Sequence, residues 1–289
     1  MRKRWYGFGA LGLAALVLAG AWAFGEMTVR PTMAEVAPAD PPARDFKLTA
    51  SDGVSIAATY RPGRRPDAPG VLILHGNGAS RGSVARNAEW LARQGYAVLT
   101  IDFRGHGQSS PHRKSFGLFE SRDAAAAFAW LKQRQRGAKV AVIGISLGGA
   151  ASLLGDAGPL PADALVLQAV YPDIRHAIRN RIAAIAGGFA GWAGEPLLSY
   201  QSLPRYGVWP ARISPLEALR RYHGPVLVIG GGADRYTLPE ETRAMLDAAP
   251  GPKSLWLVPG LDHRGISATG TPDYGARLLR FLSGTIGVA

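Results

Sequence analysis

The 289-residue sequence predicts an α/β fold: a mostly parallel central sheet with helices on both faces. From Gly70 onward, short apolar runs alternate with longer segments of helical character. The runs are apolar throughout rather than alternating, which is the mark of parallel strands buried on both faces. They end in turns rich in Gly, Asp and His, where an open parallel sheet carries its functional loops. A composition of 47% hydrophobic and 19% charged residues is that of a globular chain.

The N-terminus stands apart. Arg2-Lys3-Arg4 precedes an uncharged stretch from Trp5 to Gly25, which as a helix spans about 30 Å, one bilayer core. The basic side stays cytoplasmic, so everything after Glu26 is expected outside. Two readings use these residues. One is an uncleaved signal anchor with Trp5, Tyr6 and Trp22 at the interfaces. The other is a signal peptide cleaved near Ala21-Trp22-Ala23, leaving a secreted or periplasmic protein. The apolar core is long for a signal peptide, which favours the anchor. Residues 1–26 are therefore expected as an anchor, 27–44 as a Pro- and Ala-rich linker, and 45–289 as the folded domain.

Within the domain, Phe46–Ala50 and Val54–Tyr60 flank Asp52-Gly53 and read as a hairpin. Strands are expected over Val71–Leu74, Tyr96–Ile101, Val140–Ile145, Ala164–Ala169, Pro225–Gly230 and Ser254–Val258. Helices are expected over Ser83–Gln94, Phe119–Arg134, Glu240–Ala248 and Tyr274–Leu282. Ile174 to Ala211 is too long for a simple crossover. It reads as a helical lid inserted over the strand ends, or as an excursion packed elsewhere.

Composition excludes several chemistries. The chain has no Cys, so it has no disulfide framework, thiolate nucleophile or lipidated N-terminal Cys. It has no His-x-x-x-His spacing and no acidic calcium loop, so no metal or other cofactor is expected. The net charge of +12 is scattered and never interleaved with aromatic residues on a recognisable module. Attraction to an anionic membrane surface is expected from it, and a nucleic-acid partner is not.

Val140–Gly149, VAVIGISLGG, is the stretch most specific to a chemistry. A buried strand enters Gly144-Ile145-Ser146-Leu147-Gly148 and a run of small, helix-compatible residues leaves it. That is the context of a nucleophile elbow. The turn is so tight that positions two either side of the serine must lack a Cβ, which Gly144 and Gly148 satisfy. The Leu147 N–H then heads a helix, where it faces a developing oxyanion.

Further motifs stand in order along the chain: His75-Gly76-Asn77-Gly78, Asp102-Phe103-Arg104-Gly105-His106-Gly107-Gln108-Ser109, the Ser146 elbow, Asp234 after one strand and His263 after the last. From Phe46 to the C-terminus the sequence resembles the α/β-hydrolase superfamily, and within it the membrane-anchored serine aminopeptidase and lysophospholipase-like group. The resemblance implies the α/β-hydrolase fold with a helical lid. It also implies Ser146 as nucleophile, His263 as base and Asp234 as the acid that orients it, in the order Ser…Asp…His. Asp173 and Asp262 are rivals for the acid. The second oxyanion donor falls at Asn77, by its backbone N–H, its side chain or both. His75 and His106 shape loops, and Arg104 pairs with a carboxylate below the site. Hydrolysis of an ester, thioester or amide through an acyl-enzyme is expected, on a small-molecule or lipid-like acyl substrate. The alternative is a non-catalytic binding or scaffolding protein of the same fold at the membrane.

Overall fold

The computed structural model describes residues 2–156, 158–263, 265 and 273–287, with side chains from residue 11 onward. The chain opens on helix α1 (Arg2–Val29), followed by β1 (Thr32–Met33), β2 (Arg44–Thr49), β3 (Ser55–Arg61) and β4 (Gly70–Leu74). Next come α2 (Ala85–Arg93), β5 (Ala97–Ile101), β6 (His106–Gly107), α3 (Glu120–Arg134), β7 (Val140–Ile145), α4 (Leu147–Leu153) and β8 (Ala164–Gln168). A helical segment of α5 (Ile174–Ala186), α6 (Gly188–Ser199) and α7 (Ser202–Tyr206) follows. The chain then runs through α8 (Pro215–Leu219), β9 (Val226–Gly231), α9 (Pro239–Ala248), β10 (Lys253–Val258) and α10 (Tyr274–Thr285).

Among the described residues, eight strands form the main sheet in the order β10-β9-β8-β7-β4-β5-β3-β2. Neighbours from β10 to β5 are parallel, and the β2–β3 hairpin closes one edge antiparallel. Side chains on a strand alternate between faces, and this sheet buries both. Leu72, Leu74, Val142, Leu165 and Leu167 enter one core with α3, α4 and α9. Val71, Ile73, Ala141, Ile143 and Val166 enter the other with α2 and α10. The strand runs are apolar throughout because neither face meets water.

α1 is the described helix long and apolar enough to cross a membrane, over Leu11–Val29, by length and composition. Its outward residues Leu11, Leu13, Leu16 and Leu18 are exposed. Trp5 and Tyr6, expected as interfacial anchors, lie outside the described side chains. The C-terminal turns of α1 are tied to α7 and the residue before it. Gln201 Nε2 donates to the Ala21 carbonyl at 2.9 Å. Arg205 Nη1 meets Glu26 Oε2 at 2.6 Å, with its guanidinium 4.0 Å from the centroid of the Trp22 ring. The helix runs on to Val29, past the expected boundary, and the segment after it lies along the domain. Thr32–Met33 pairs in parallel with His106–Gly107, and the Lys114 N–H donates to the Val29 carbonyl at 2.8 Å. These ties are between backbones, so the Pro- and Ala-rich composition of the stretch carries no sign of them.

Beneath the strand ends, Arg104 holds two loops together. Its guanidinium takes Asp52 on one side (2.6 and 2.9 Å) and Asp123 on the other (2.7 Å). Arg104 and Asp123 are both buried, with side-chain exposures of 4% and 0%. Removing one member of a buried pair leaves the other uncompensated, at a cost of about 3–5 kcal/mol. Arg104→Ala is therefore expected to lower the unfolding free energy by that order, read from urea titrations followed by tryptophan fluorescence. An unfolding free energy equal to wild type would contradict the role given to this cluster.

Candidate active site

The elbow is where the sequence places it. β7 ends at Ile145, α4 begins at Leu147, and Ser146 between them has φ 48° and ψ −108°. A non-glycine residue there carries strain of about 1–3 kcal/mol and persists only where its surroundings enforce it. The enforcement is steric. A Cβ on Gly144 would sit 2.4 Å from the Gly149 Cα, and one on Gly148 would sit 2.2 Å from the Leu74 carbonyl oxygen. The Ser146 N–H donates to the Gln168 carbonyl of β8 at 2.8 Å, which pins the turn to the sheet. Ser146 itself is 6% exposed.

Asp234 follows β9 and His263 follows β10, and the fold joins them. His263 Nδ1 lies 2.8 Å from Asp234 Oδ2. The other oxygen, Oδ1, accepts the N–H groups of Tyr236 and Thr237 at 2.8 and 2.9 Å. The carboxylate is therefore fixed from one side and offers its free edge to the imidazole. With Nδ1 engaged, Nε2 is the nitrogen left for a reacting proton. The Tyr236 ring stands edge-on to His263, with centroids 5.5 Å apart.

The rival carboxylates are occupied elsewhere. Asp173 caps α5, accepting the His176 N–H at 2.9 Å and facing His176 Nδ1 at 2.8 Å. That hydrogen bond raises the His176 pKa above its ordinary value. Asp262 is exposed and accepts the Gly265 N–H at 2.9 Å.

The His75–Gly78 loop packs on the elbow: a Cβ on Gly76 would meet Ser146 Cβ at 3.8 Å. His75 is fully buried, its Nδ1 donating to the Gly76 carbonyl at 2.8 Å and its Nε2 accepting from the Phe103 N–H at 3.1 Å. Burial, with His106 alongside, pushes its pKa down to about 3, so it is a neutral framework group. His106 Nδ1 donates to the Arg104 carbonyl at 3.0 Å, and its Nε2 stands 3.3 Å from the side-chain amide of Asn77. The Asn77 side chain is thus tethered, which leaves its backbone N–H as the group available to a substrate. The Leu147 N–H, first in α4, has no acceptor within its helix. The Leu147 N–H thus stands at the elbow and the Asn77 N–H on the loop packed against it.

A cavity of about 790 Å3 is lined by Asn77 and Tyr236, the neighbours of this cluster, and not by Ser146, Asp234 or His263 themselves. Sequence reasoning missed two of its features. Arg181 of α5 stacks over Tyr236, its guanidinium 4.8 Å from the ring centroid. Tyr236 itself had one available signal, its place two residues after Asp234 in an Asx turn. The second feature is α1, whose residues form part of the wall.

Comparisons with known proteins agree with this fold. The family model described as "Serine aminopeptidase, S33" matches residues 66–202, from the approach to β4 to the start of α7. A Mycobacterium tuberculosis protein described as uncharacterized (strain CDC 1551 / Oshkosh) is 30% identical over 236 residues, covering 81% of this chain and 75% of that protein. The chain belongs to the α/β-hydrolase superfamily. As a member it is similar to the lysophosphatidylserine lipase ABHD12 of Danio rerio, 30% identical over 161 residues. That match takes in 47% of this chain and 41% of the lipase, so the chain spans well under half the lipase's length. The Pyrococcus furiosus esterase Pf2001 superposes with a TM-score of 0.70 over 90% of this chain and 100% of the esterase. At 22% identity that likeness is one of fold. The family and these relatives support hydrolase chemistry for this α/β hydrolase.

The two carboxylates can be told apart by measurement. Asp173→Ala removes a helix cap, about 1 kcal/mol, which lowers the melting temperature by about 2–4 °C. It should leave the Nδ1 proton of His263 in place. Asp234→Ala should release that proton, seen by NMR of histidine-labelled protein. The opposite pattern would hand the imidazole to Asp173.

Proposed function

We propose that this protein is a serine hydrolase that cleaves carboxylic esters through an acyl-enzyme, with a single acyl chain as its preferred substrate portion. The observation that carries the reading is the Asp234–His263 pair at the same sheet edge as a serine held in a strained, positive-φ turn. A hydroxyl is a poor nucleophile at neutral pH, and an imidazole in hydrogen-bond reach makes it competent.

In this reading Ser146 Oγ attacks the carbonyl carbon and His263 Nε2 takes its proton. Asp234 keeps the imidazole in the required tautomer and stabilises the imidazolium. The carbonyl oxygen, now negative, is held by the Leu147 and Asn77 N–H groups. His263 returns the proton to the leaving alkoxide, which departs as an alcohol. Water, deprotonated by the same imidazole, then releases the acid.

Several observations favour an acyl chain. The cavity lies within the roughly 300–1,000 Å3 of ordinary small-molecule sites, and its walls carry Ile178, Ile182, Leu197 and Leu198. The lysophosphatidylserine lipase relative acts, by its name, on a single-chain lipid. We place the protein at a membrane, with α1 as an uncleaved signal anchor, the domain outside the cytoplasm and α5–α7 as its lid. The apolar tip of α5 and α6 (Ile185, Phe189 and Trp192, 84%, 80% and 66% exposed) is suited to that setting.

A fluorophosphonate probe should label the purified protein, and Ser146→Ala should abolish the labelling. His263→Ala should be nearly as damaging as Ser146→Ala to turnover of p-nitrophenyl butyrate, because the residues act as a unit. Loss of either N–H donor typically costs about 10²–10³ in rate. Labelling that survives Ser146→Ala would refute the assignment.

A further inference from the structure

α1 does more in this structure than a tether requires. Val17, Gly20, Ala21, Phe24, Met27 and Thr28 all line the cavity. Their spacing is that of one helical face; Val17, Phe24 and Met27 on it remain 48%, 50% and 64% exposed, and Leu11 and Leu18 point away from it. The facing wall comes from the helical segment between β8 and β9, through Ile178, Ile182, Ile185 and Leu197.

The helix is locked in this position. Gly25 passes so close to α7 that a Cβ there would sit 2.1 Å from Gln201 Oε1. Gln201 and Arg205 hold the Ala21 and Trp22 carbonyls and the Glu26 carboxylate. Gly20, by contrast, faces empty space, with nothing within 4 Å of a Cβ built on it. The close approach is thus at Gly25 and the open volume is one turn earlier.

Polar side chains line the cavity too, among them Asn77, Lys114, Arg181, Gln201, Arg205 and Tyr236. The Val29 carbonyl accepts the Lys114 N–H, and both residues line the cavity together with Asn77, so the C-terminal end of α1 shares it with the His75–Gly78 loop. Val17 and Ile185 line it as well, and Ile185 belongs to the exposed apolar tip. From Thr28 back to Val17 the helix covers about 16 Å. An extended chain at about 1.2 Å per bond fills that with roughly thirteen carbons.

We infer that α1 is one wall of the acyl-chain site, and that its Val17–Thr28 face sets how long a chain the protein accepts. The inference rests on the ester-hydrolase reading for what is attached to the chain, and on the cavity alone for where the chain lies. The helix therefore selects substrate as well as holding the protein in place. Gly20 sets the depth of the site, because any side chain there projects into the volume the chain would fill.

Two measurements on the full chain in detergent micelles test this. In the first, kcat/KM is compared for p-nitrophenyl myristate and p-nitrophenyl butyrate. Each buried methylene contributes roughly threefold to fourfold. Gly20→Leu should lower the myristate-to-butyrate ratio by about tenfold to fiftyfold, and Gly20→Ala should lower it less, in the same direction. Leu18→Ala, off the cavity face, should keep the wild-type ratio. Melting curves identify any variant that has not folded, and Gly20→Ala, a single methyl with better helix propensity, provides the reading if Gly20→Leu does not fold. A wild-type ratio in folded Gly20→Leu overturns the inference and leaves the hydrolase reading standing.

In the second, a myristoyl ester carrying a terminal diazirine is photolysed with Ser146→Ala, and the adducts are mapped by mass spectrometry. Adducts within Val17–Thr28 support the inference whether or not the wild type turns esters over. Adducts confined to other parts of the chain overturn it.

Discussion

The steric closure of the β7–α4 turn is the constraint on which the rest of the site depends. Ser146 takes a backbone conformation that an L-residue adopts only under compulsion, and the compulsion comes from both sides of the turn. The strand behind it is pinned in the middle of the sheet between β4 and β8. The helix ahead passes so close to Leu74 and to β7 that only glycine fits at the contacts. Strain of this kind is tolerated because the two buried cores on either face of the sheet leave the turn no room to relax. The same closeness brings the His75–Gly78 loop against Ser146, so the serine and the backbone around it are set by one packing event.

A layer of buried polar groups supports that turn from below. Asp102 is fully buried and accepts the backbone N–H groups of Arg81 and Gln108 while facing the Arg81 guanidinium. His75, His106 and Arg104 complete the layer, each hydrogen-bonded to backbone or carboxylate. Such networks are costly if left half-made and rigid when complete. Here they fix the loops at the strand ends while the residues proposed to react sit above them. This is the physical difference between His75 and His263. The first is enclosed and held neutral; the second is partly exposed, with Nδ1 on Asp234.

The strand positions and the strand–turn–helix at Ser146 were legible because each rests on local pattern: apolar runs of strand length, and glycines two residues either side of Ser146; the order of the strands in the sheet was not. The pairing of Asp234 with His263 was legible only as chain order, and coordinates were needed to dismiss Asp173, whose carboxylate turned out to cap α5. Arg81 gave no signal at all. An arginine in a loop reads as solvated, and its burial against Asp102 depends on a residue 21 positions away. The docking of residues 30–43 was hidden for a related reason, since main-chain pairing with β6 leaves no mark on composition. The cavity face of α1 was hidden differently. A helix apolar on every side shows no contrast between faces, so periodicity cannot reveal which one meets protein.

The sequence by itself determined the fold class, the strand–turn–helix at Ser146, and the chain order of serine, aspartate and histidine. These are set by short-range rules, since glycine geometry and strand and helix periods act over a few residues. Tertiary structure alone decided which carboxylate meets His263, which histidines are framework, and that α1 packs against α7 to close the cavity. Those outcomes depend on contacts between segments up to about 180 residues apart, as in the Gln201–Ala21 hydrogen bond. Burial and close approach there are properties of the packed chain, and no local stretch of sequence encodes them.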